Sequence, residues 1–186
     1  MKDFGNILIT VSGLPGSGTS TAAKLLSRET GMEMISTGEI FRELAKEKGY
    51  SLEEFGEVAE KNKNIDFELD KRIVSKAKPG RILEGRLTGH MLSRSEKKAY
   101  KVWIEADLET RIERISDRED MDLERTKELV KKREESERKR YKEYYGIDLL
   151  NKDVYNIVID SVENSPEKIV SKIIEGVLNG SYSREE

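Results

Sequence analysis

The sequence predicts an α/β fold, a three-layer α/β/α arrangement around five parallel strands. Three observations predict it. Short runs of β-branched and aliphatic residues recur along the chain, separated by helical patterns. A glycine-rich turn joins the first such run to the first helix. Two stretches, at about 37–77 and about 107–150, are helical without intervening strands and read as excursions from a sheet core.

The elements follow in order. Residues 7–11 (ILITV) form a nearly continuous apolar run, the signature of a strand buried on both faces. Residues 20–29 are helical, and Gly31 stops them. A brief strand at 34–35 precedes helices at about 38–48, 52–62 and 66–77, which Pro79-Gly80 ends. Strands are expected at 81–84 and 101–105. Asp107 and Glu109 place acid at the start of the next helix, where the helix dipole favours it. A long charged helix spans about 122–145, and the last strand covers 155–159. Ser165-Pro166 opens the final helix with proline at its first position. The chain reads as one domain, 1–186, with helical insertions at about 37–66 and 118–142.

Composition narrows the chemistry. Charged residues make up 38% of the 186, against about a quarter in an average domain. Lys+Arg and Asp+Glu nearly cancel, leaving a net charge of −3, so no global basic field draws in nucleic acid. With no cysteine there is neither a disulfide framework nor a thiolate metal site. One histidine, His90, excludes multi-histidine metal centres and makes a Ser-His-Asp design improbable. No run is long and apolar enough to span a membrane, and the N-terminus lacks the apolar core of a signal peptide. A cytoplasmic location is expected. Trp103 reads as core, His90 as incidental, and Tyr141, Tyr144 and Tyr145 as a packing stripe.

The segment Gly13-Leu14-Pro15-Gly16-Ser17-Gly18-Thr19-Ser20-Thr21 lies between the first strand and the first helix. It follows the phosphate-loop pattern G-x-x-x-x-G-K-[ST], except that Thr19 stands where the lysine belongs. Glycines let backbone N–H groups curl around a phosphate, and the helix N-terminus adds positive potential. Ser20 can offer its hydroxyl to Mg²⁺. The missing lysine charge must then come from elsewhere. On the long helix, Arg133, Glu137 and Arg140 fall on one face by i, i+4, i+7 spacing. Arg111, Arg114 and Arg118 also repeat on one face. Glu84-Gly85-Arg86 closes a strand at its C-terminal end, where open α/β sheets bind ligands. There Glu84 can hold Mg²⁺ or its waters, and Arg86 can meet an anion. Thr37 and Arg42 lie at the start of a helix.

With these residues in view, the chain resembles the nucleoside monophosphate kinases, most closely the archaeal type of cytidylate kinase. The segments GLPGSGTST (13–21), ISTGEIFRELA (35–45), LEGRLTG (83–89) and REESERKRYKEYYGID (133–148) carry the resemblance. The threonine in place of the loop lysine is itself characteristic of that group. The resemblance implies transfer of the ATP γ-phosphoryl group to CMP or dCMP, with Mg²⁺. It implies that residues 13–21, with Arg114 and Arg118, bind ATP. It implies that Thr37, Arg42, Arg86 and Glu137 bind the acceptor, and that Arg86, Arg133 and Arg140 act at the reacting phosphates. It assigns the insertions to an acceptor-binding segment (37–66) and a lid (118–142). Leu87 stands where bacterial relatives carry a base-reading aspartate, so the base reader is left open. The alternatives are another small P-loop kinase, for adenylate, uridylate or a small metabolite, and a nucleic-acid-binding module using the basic run 131–142. The expected partners are ATP and CMP or dCMP, with no nucleic acid, no membrane and a monomeric chain.

Overall fold

A computed structural model describes residues 4–179, so residues 1–3 of the N-terminus discussed above lie outside it. Among the described residues five strands form one parallel sheet, in the order β2-β3-β1-β4-β5. The strands are β1 (Leu8–Ser12), β2 (Glu33–Ser36), β3 (Arg81–Glu84), β4 (Tyr100–Glu105) and β5 (Ile157–Asp160). The sheet and the helices on both its faces bear out the predicted fold class. β1 sits at the centre, with Val11 paired to Glu84 of β3 on one side and to Val102 of β4 on the other.

Strand alternation divides the core. Ile9, Val11, Ile82, Val102 and Ile104 face one side and pack with α1 (Thr19–Thr30) and α8 (Pro166–Leu178). Leu8 and Leu83 face the other, against α2 (Thr37–Glu47), α3 (Leu52–Lys61) and α4 (Lys63–Lys76). Trp103 is 2% exposed and packs with Leu87, Tyr141, Ile147 and Leu149. That cluster anchors the C-terminal half of α7 (Leu123–Tyr145), while Val130 packs with Ile112 and Ile115 of α6 (Leu108–Glu119).

The helix boundaries have local causes. Ser51, Asn62, Asp107, Asp122 and Ser165 each cap a helix with a side-chain oxygen. Gly31 and Gly146 end α1 and α7 in the left-handed conformation. Three differences from the expectation exceed one residue. Asn62 starts α4 three residues early, so Asp66 falls inside the helix. β5 begins at Ile157, and Tyr155 before it turns in to pack at a tilt against Trp103, with ring centroids 5.2 Å apart. A six-residue helix, α5 (Thr88–Ser93), follows β3 where none was expected; one and a half turns show no periodicity in sequence.

Ile82 is fully buried in the layer between sheet, α1 and α8. Ile82→Ala should cost about 2–5 kcal/mol of unfolding free energy. Urea unfolding followed by Trp103 fluorescence measures it; a loss below about 1 kcal/mol contradicts this placement of the core.

Candidate active site

The functional groups gather at the C-terminal edge of the sheet, around the central strand, where open α/β sheets place ligands. β1 ends at Ser12 and the chain enters the loop 13–18. Gly16 and Gly18 take φ of 81° and 93°, which only glycine adopts readily. A Cβ at position 16 would also stand 2.6 Å from the Arg111 carbonyl oxygen. Leu14 and Pro15 line the loop, and Ser17 is fully buried. Helix α1 starts from Gly18 without a side-chain cap, unlike the five capped helices. Its first-turn N–H groups are therefore open to an external acceptor, and the dipole favours an anion there. Thr21 lies exposed on the first turn, and Lys24, one turn on, points to solvent.

Glu84 closes β3 and is 8% exposed. Its Oε1 accepts from Thr19 Oγ1 at 3.1 Å and from Ser20 Oγ at 3.0 Å. Its Oε2 accepts from Ser36 Oγ at 2.8 Å. Thr37, next to Ser36, donates to the Glu84 carbonyl at 3.0 Å. One residue thus ties the phosphate loop, the end of β2 and the start of α2. Thr19, in the lysine's place, brings a hydroxyl and no charge to this carboxylate.

The positive charge arrives from two directions. Arg86 Nη1 donates to Glu137 Oε1 on α7 at 2.9 Å, and Arg133 Nε donates to the same oxygen at 3.0 Å. Arg140 Nη1 donates to Asp66 Oδ2 on α4 at 2.6 Å. The Nε atoms of Arg86 and Arg140 and Oε2 of Glu137 are buried and take no partner among the described residues. Buried charged groups with unmet hydrogen-bonding capacity are costly, and a bound anion would supply acceptors for the two guanidinium donors. Arg42 is exposed at the start of α2, with Nη1 near Gly38 and no ion pair among the described residues.

The three arginines of α6 separate. Arg114 donates to the Gly16 carbonyl at 3.3 Å and to Ser161 Oγ at 2.8 Å, so it backs the phosphate loop. Arg118, one turn on, is exposed and pairs with its neighbour Glu119; the structure does not bring it to the loop. By sequence, Arg111 has no role in the site beyond sharing a face with Arg114 and Arg118. It is 4% exposed, donates to the Pro15 carbonyl at 3.2 Å and pairs with Glu134 of α7. It therefore fastens α7 to the phosphate loop.

Sequence reasoning also missed the two acids of α4. Asp66 and Asp70 lie one turn apart beside the buried stripe Ile65, Leu69 and Ile73, and both are themselves buried. Asp70 accepts from the Tyr145 hydroxyl, and Phe67 packs edge-on against the Tyr145 ring at 5.4 Å. Their signal was available: two acids four residues apart, keeping step with the apolar stripe at 65, 69 and 73. The face of α7 away from this cluster is a groove of about 660 Å³ lined by Lys131, Arg138 and Lys142 but also by Glu134 and Glu135. Its mixed sign does not match a nucleic-acid backbone.

Burial pushes the Asp70 carboxyl up to about 6, against an ordinary 3.8, although the Tyr145 hydroxyl works the other way. The folded state therefore holds this proton where the unfolded chain has lost it. Native stability linked to Asp70 falls as pH rises through that window and is flat above it. Asp70→Asn removes the loss, so its stability relative to the parent should rise by roughly 1–3 kcal/mol between about pH 4 and pH 7. Urea unfolding of both proteins at the two pH values checks this, and a pH-independent difference contradicts it.

The chain is similar to known proteins. A family model described as the cytidylate kinase-like family matches residues 8–163. The chain is 48% identical over 180 residues to the cytidylate kinase of Methanococcoides burtonii, covering 95% of this chain and 99% of that protein. It is 49% identical over 160 residues to the cytidylate kinase of Methanosarcina mazei, covering 82% and 86%. Among solved structures, the shikimate kinase of Acinetobacter baumannii in complex with shikimate superposes with a TM-score of 0.63 at 16% identity, covering 97% of this chain and 98% of that one. That likeness speaks for the fold alone. The family match over most of the chain, together with near-half identity along almost its full length, establishes that the chain belongs to the cytidylate kinase-like family.

Proposed function

We propose that the protein transfers the γ-phosphoryl group of ATP to the phosphate of CMP or dCMP, giving ADP and CDP or dCDP. The observation that carries the reading is the pairing of Arg86, which directly follows β3, and Arg133 on one oxygen of Glu137, with Arg140 one turn along α7 on Asp66 and two buried guanidinium Nε atoms, those of Arg86 and Arg140, lacking an acceptor among the described residues. The curated relatives named cytidylate kinase supply the acceptor.

The chemistry suits these residues. The second pKa of a phosphate monoester is about 6, so the acceptor is largely a dianion at neutral pH and needs no general base. His90, the sole histidine, is buried against Tyr155 and burial lowers its pKa. It has no part to play. An acceptor phosphate oxygen forms a bond to the γ-phosphorus while the β–γ bridging bond breaks, its electron pair leaving with ADP. Catalysis then consists of alignment and of shielding the repulsion between two anions. Residues 13–21 hold the ATP phosphates with loop amides and the open N-terminus of α1. Arg114 steadies that loop and borders the donor, and Arg118 would have to move to reach it. Thr37, Arg42 and Arg86 hold the acceptor phosphate, with Glu137 orienting Arg86 and Arg133. Arg133 and Arg140 approach the transferring group.

Ser20 Oγ and the Glu84 carboxylate form an oxygen-only donor set, the type that suits Mg²⁺, and these two residues would hold it directly or through its waters. Bound there, Mg²⁺ would offset charge on the ATP phosphates. The lid helix α7 closes the cleft through Arg86 and α4, which keeps water from competing with the acceptor. The molecule is proposed to work as one domain and a monomer. No helix among the described residues is long and apolar enough to cross a membrane.

Steady-state assays with ATP and CMP, dCMP, UMP or AMP test the reading. CMP or dCMP should give the highest kcat/KM, and turnover of none of the four contradicts it. Arg140→Ala should lower kcat by about 10³–10⁵, as arginines at other phosphoryl-transfer centres do, with a smaller effect on nucleotide binding. A kcat within a few-fold of the parent removes Arg140 from the reacting group.

A further inference from the structure

Arg140 is needed at the transferring phosphate, yet here it lies on Asp66, 2.6 Å away. The Asp66 side chain is 10% exposed, and Arg140 is its one hydrogen-bond donor among the described residues. Burial pushes its pKa up, and Arg140 opposes that rise. If Arg140 simply left, a buried carboxylate would lose its only partner, which is strongly unfavourable. Release of Arg140 therefore requires a ligand that brings a replacement donor.

We propose that Asp66 reads the exocyclic amino group of the acceptor base, and that this amino group replaces Arg140 and frees it for the phosphates. The inference rests on the acceptor being a nucleoside monophosphate, as proposed above. Its geometry is a chain of alternating charge across the cleft: Arg86, Glu137, Arg140, Asp66. Glu137 and Arg140 are one helical turn apart on α7. An acceptor with its phosphate at Arg86 would extend its base towards α4, where Asp66 waits. Cytosine presents an N4 amino donor on its pairing edge. Uracil presents O4, an acceptor, to the same carboxylate. Two facing acceptors repel, so a keto base displaces Arg140 poorly and is turned over more slowly than an amino base. Specificity would thus act partly through kcat, because the correct base completes the catalytic arrangement.

The other carboxylates fit the role less well. Glu84 already accepts from three hydroxyls. Glu137 sits directly on Arg86, too near the phosphate for the amino group at the far end of a nucleotide. Asp70 is engaged by Tyr145, which catalysis has no reason to move.

The test compares kcat/KM for CMP and UMP in the parent, Asp66→Asn and Asp66→Glu, with Trp103 emission as the check on folding. In Asp66→Asn the CMP value should fall and the UMP value hold or rise, so that the CMP:UMP ratio collapses by tenfold or more. Asp66→Glu keeps an anionic acceptor and should retain a preference for CMP. Equal losses for both substrates, or an unchanged ratio in Asp66→Asn, overturn the proposal and mark Asp66 as a structural partner of Arg140. If Asp66→Asn loses the parental emission, Asp66→Ser replaces it with the same two outcomes. A parent that turns over no nucleoside monophosphate overturns the proposed function itself, a result distinct from CMP turnover with an unchanged ratio.

Discussion

The rest of the site depends on the Glu84 carboxylate and the three hydroxyls that hold it. Thr19 and Ser20 come from the head of α1, Ser36 from the end of β2, and Glu84 from the end of β3. These bonds fix the phosphate loop relative to the segment that begins with Thr37. They also set the charge of the site. A lysine at position 19 would neutralise Glu84; a threonine leaves an anion supported by neutral donors. Hydroxyls satisfy its hydrogen bonds without cancelling its charge, so cations must be drawn from farther away.

The long helix α7 answers that need. It is fastened to the phosphate loop through Glu134 and Arg111, and to the sheet through Tyr141 on Trp103. It reaches α4 through Arg140–Asp66 and Tyr145–Asp70. The first two contacts locate the helix. Tyr145–Asp70 does the same at α4, whereas Arg140–Asp66 is the contact that the proposed acceptor would compete for. This division lets a single rigid helix carry both fixed contacts and an exchangeable one. Under the proposed function, the arginines expected to meet phosphate are each held by a carboxylate, Arg86 and Arg133 by Glu137 and Arg140 by Asp66.

Much of this was legible in the sequence, for identifiable reasons. The apolar run at β1 and the glycine spacing after it define the loop without reference to anything distant. The i, i+4, i+7 spacing put Arg133, Glu137 and Arg140 on one face, and the structure keeps them there. Arg118 shows the limit: the same spacing rule grouped it with Arg111 and Arg114, but α6 extends away from the loop and leaves it in solvent. Periodicity reports a shared face, not how far along that face a neighbour extends. Asp66 and Asp70 went unnoticed because their meaning lies in a contact with residues more than seventy positions away. Helix α5 was too short to show a pattern.

Glu84 is the residue on which the site depends most directly. Glu84→Gln keeps the shape and one oxygen acceptor but removes the charge, so Trp103 emission should stay parental. The kcat for CMP phosphorylation should fall on the order of a hundredfold or more, with a higher Mg²⁺ concentration needed for half-maximal rate. A folded Glu84→Gln protein with parental kcat and Mg²⁺ dependence would contradict the central claim that this carboxylate organises the site.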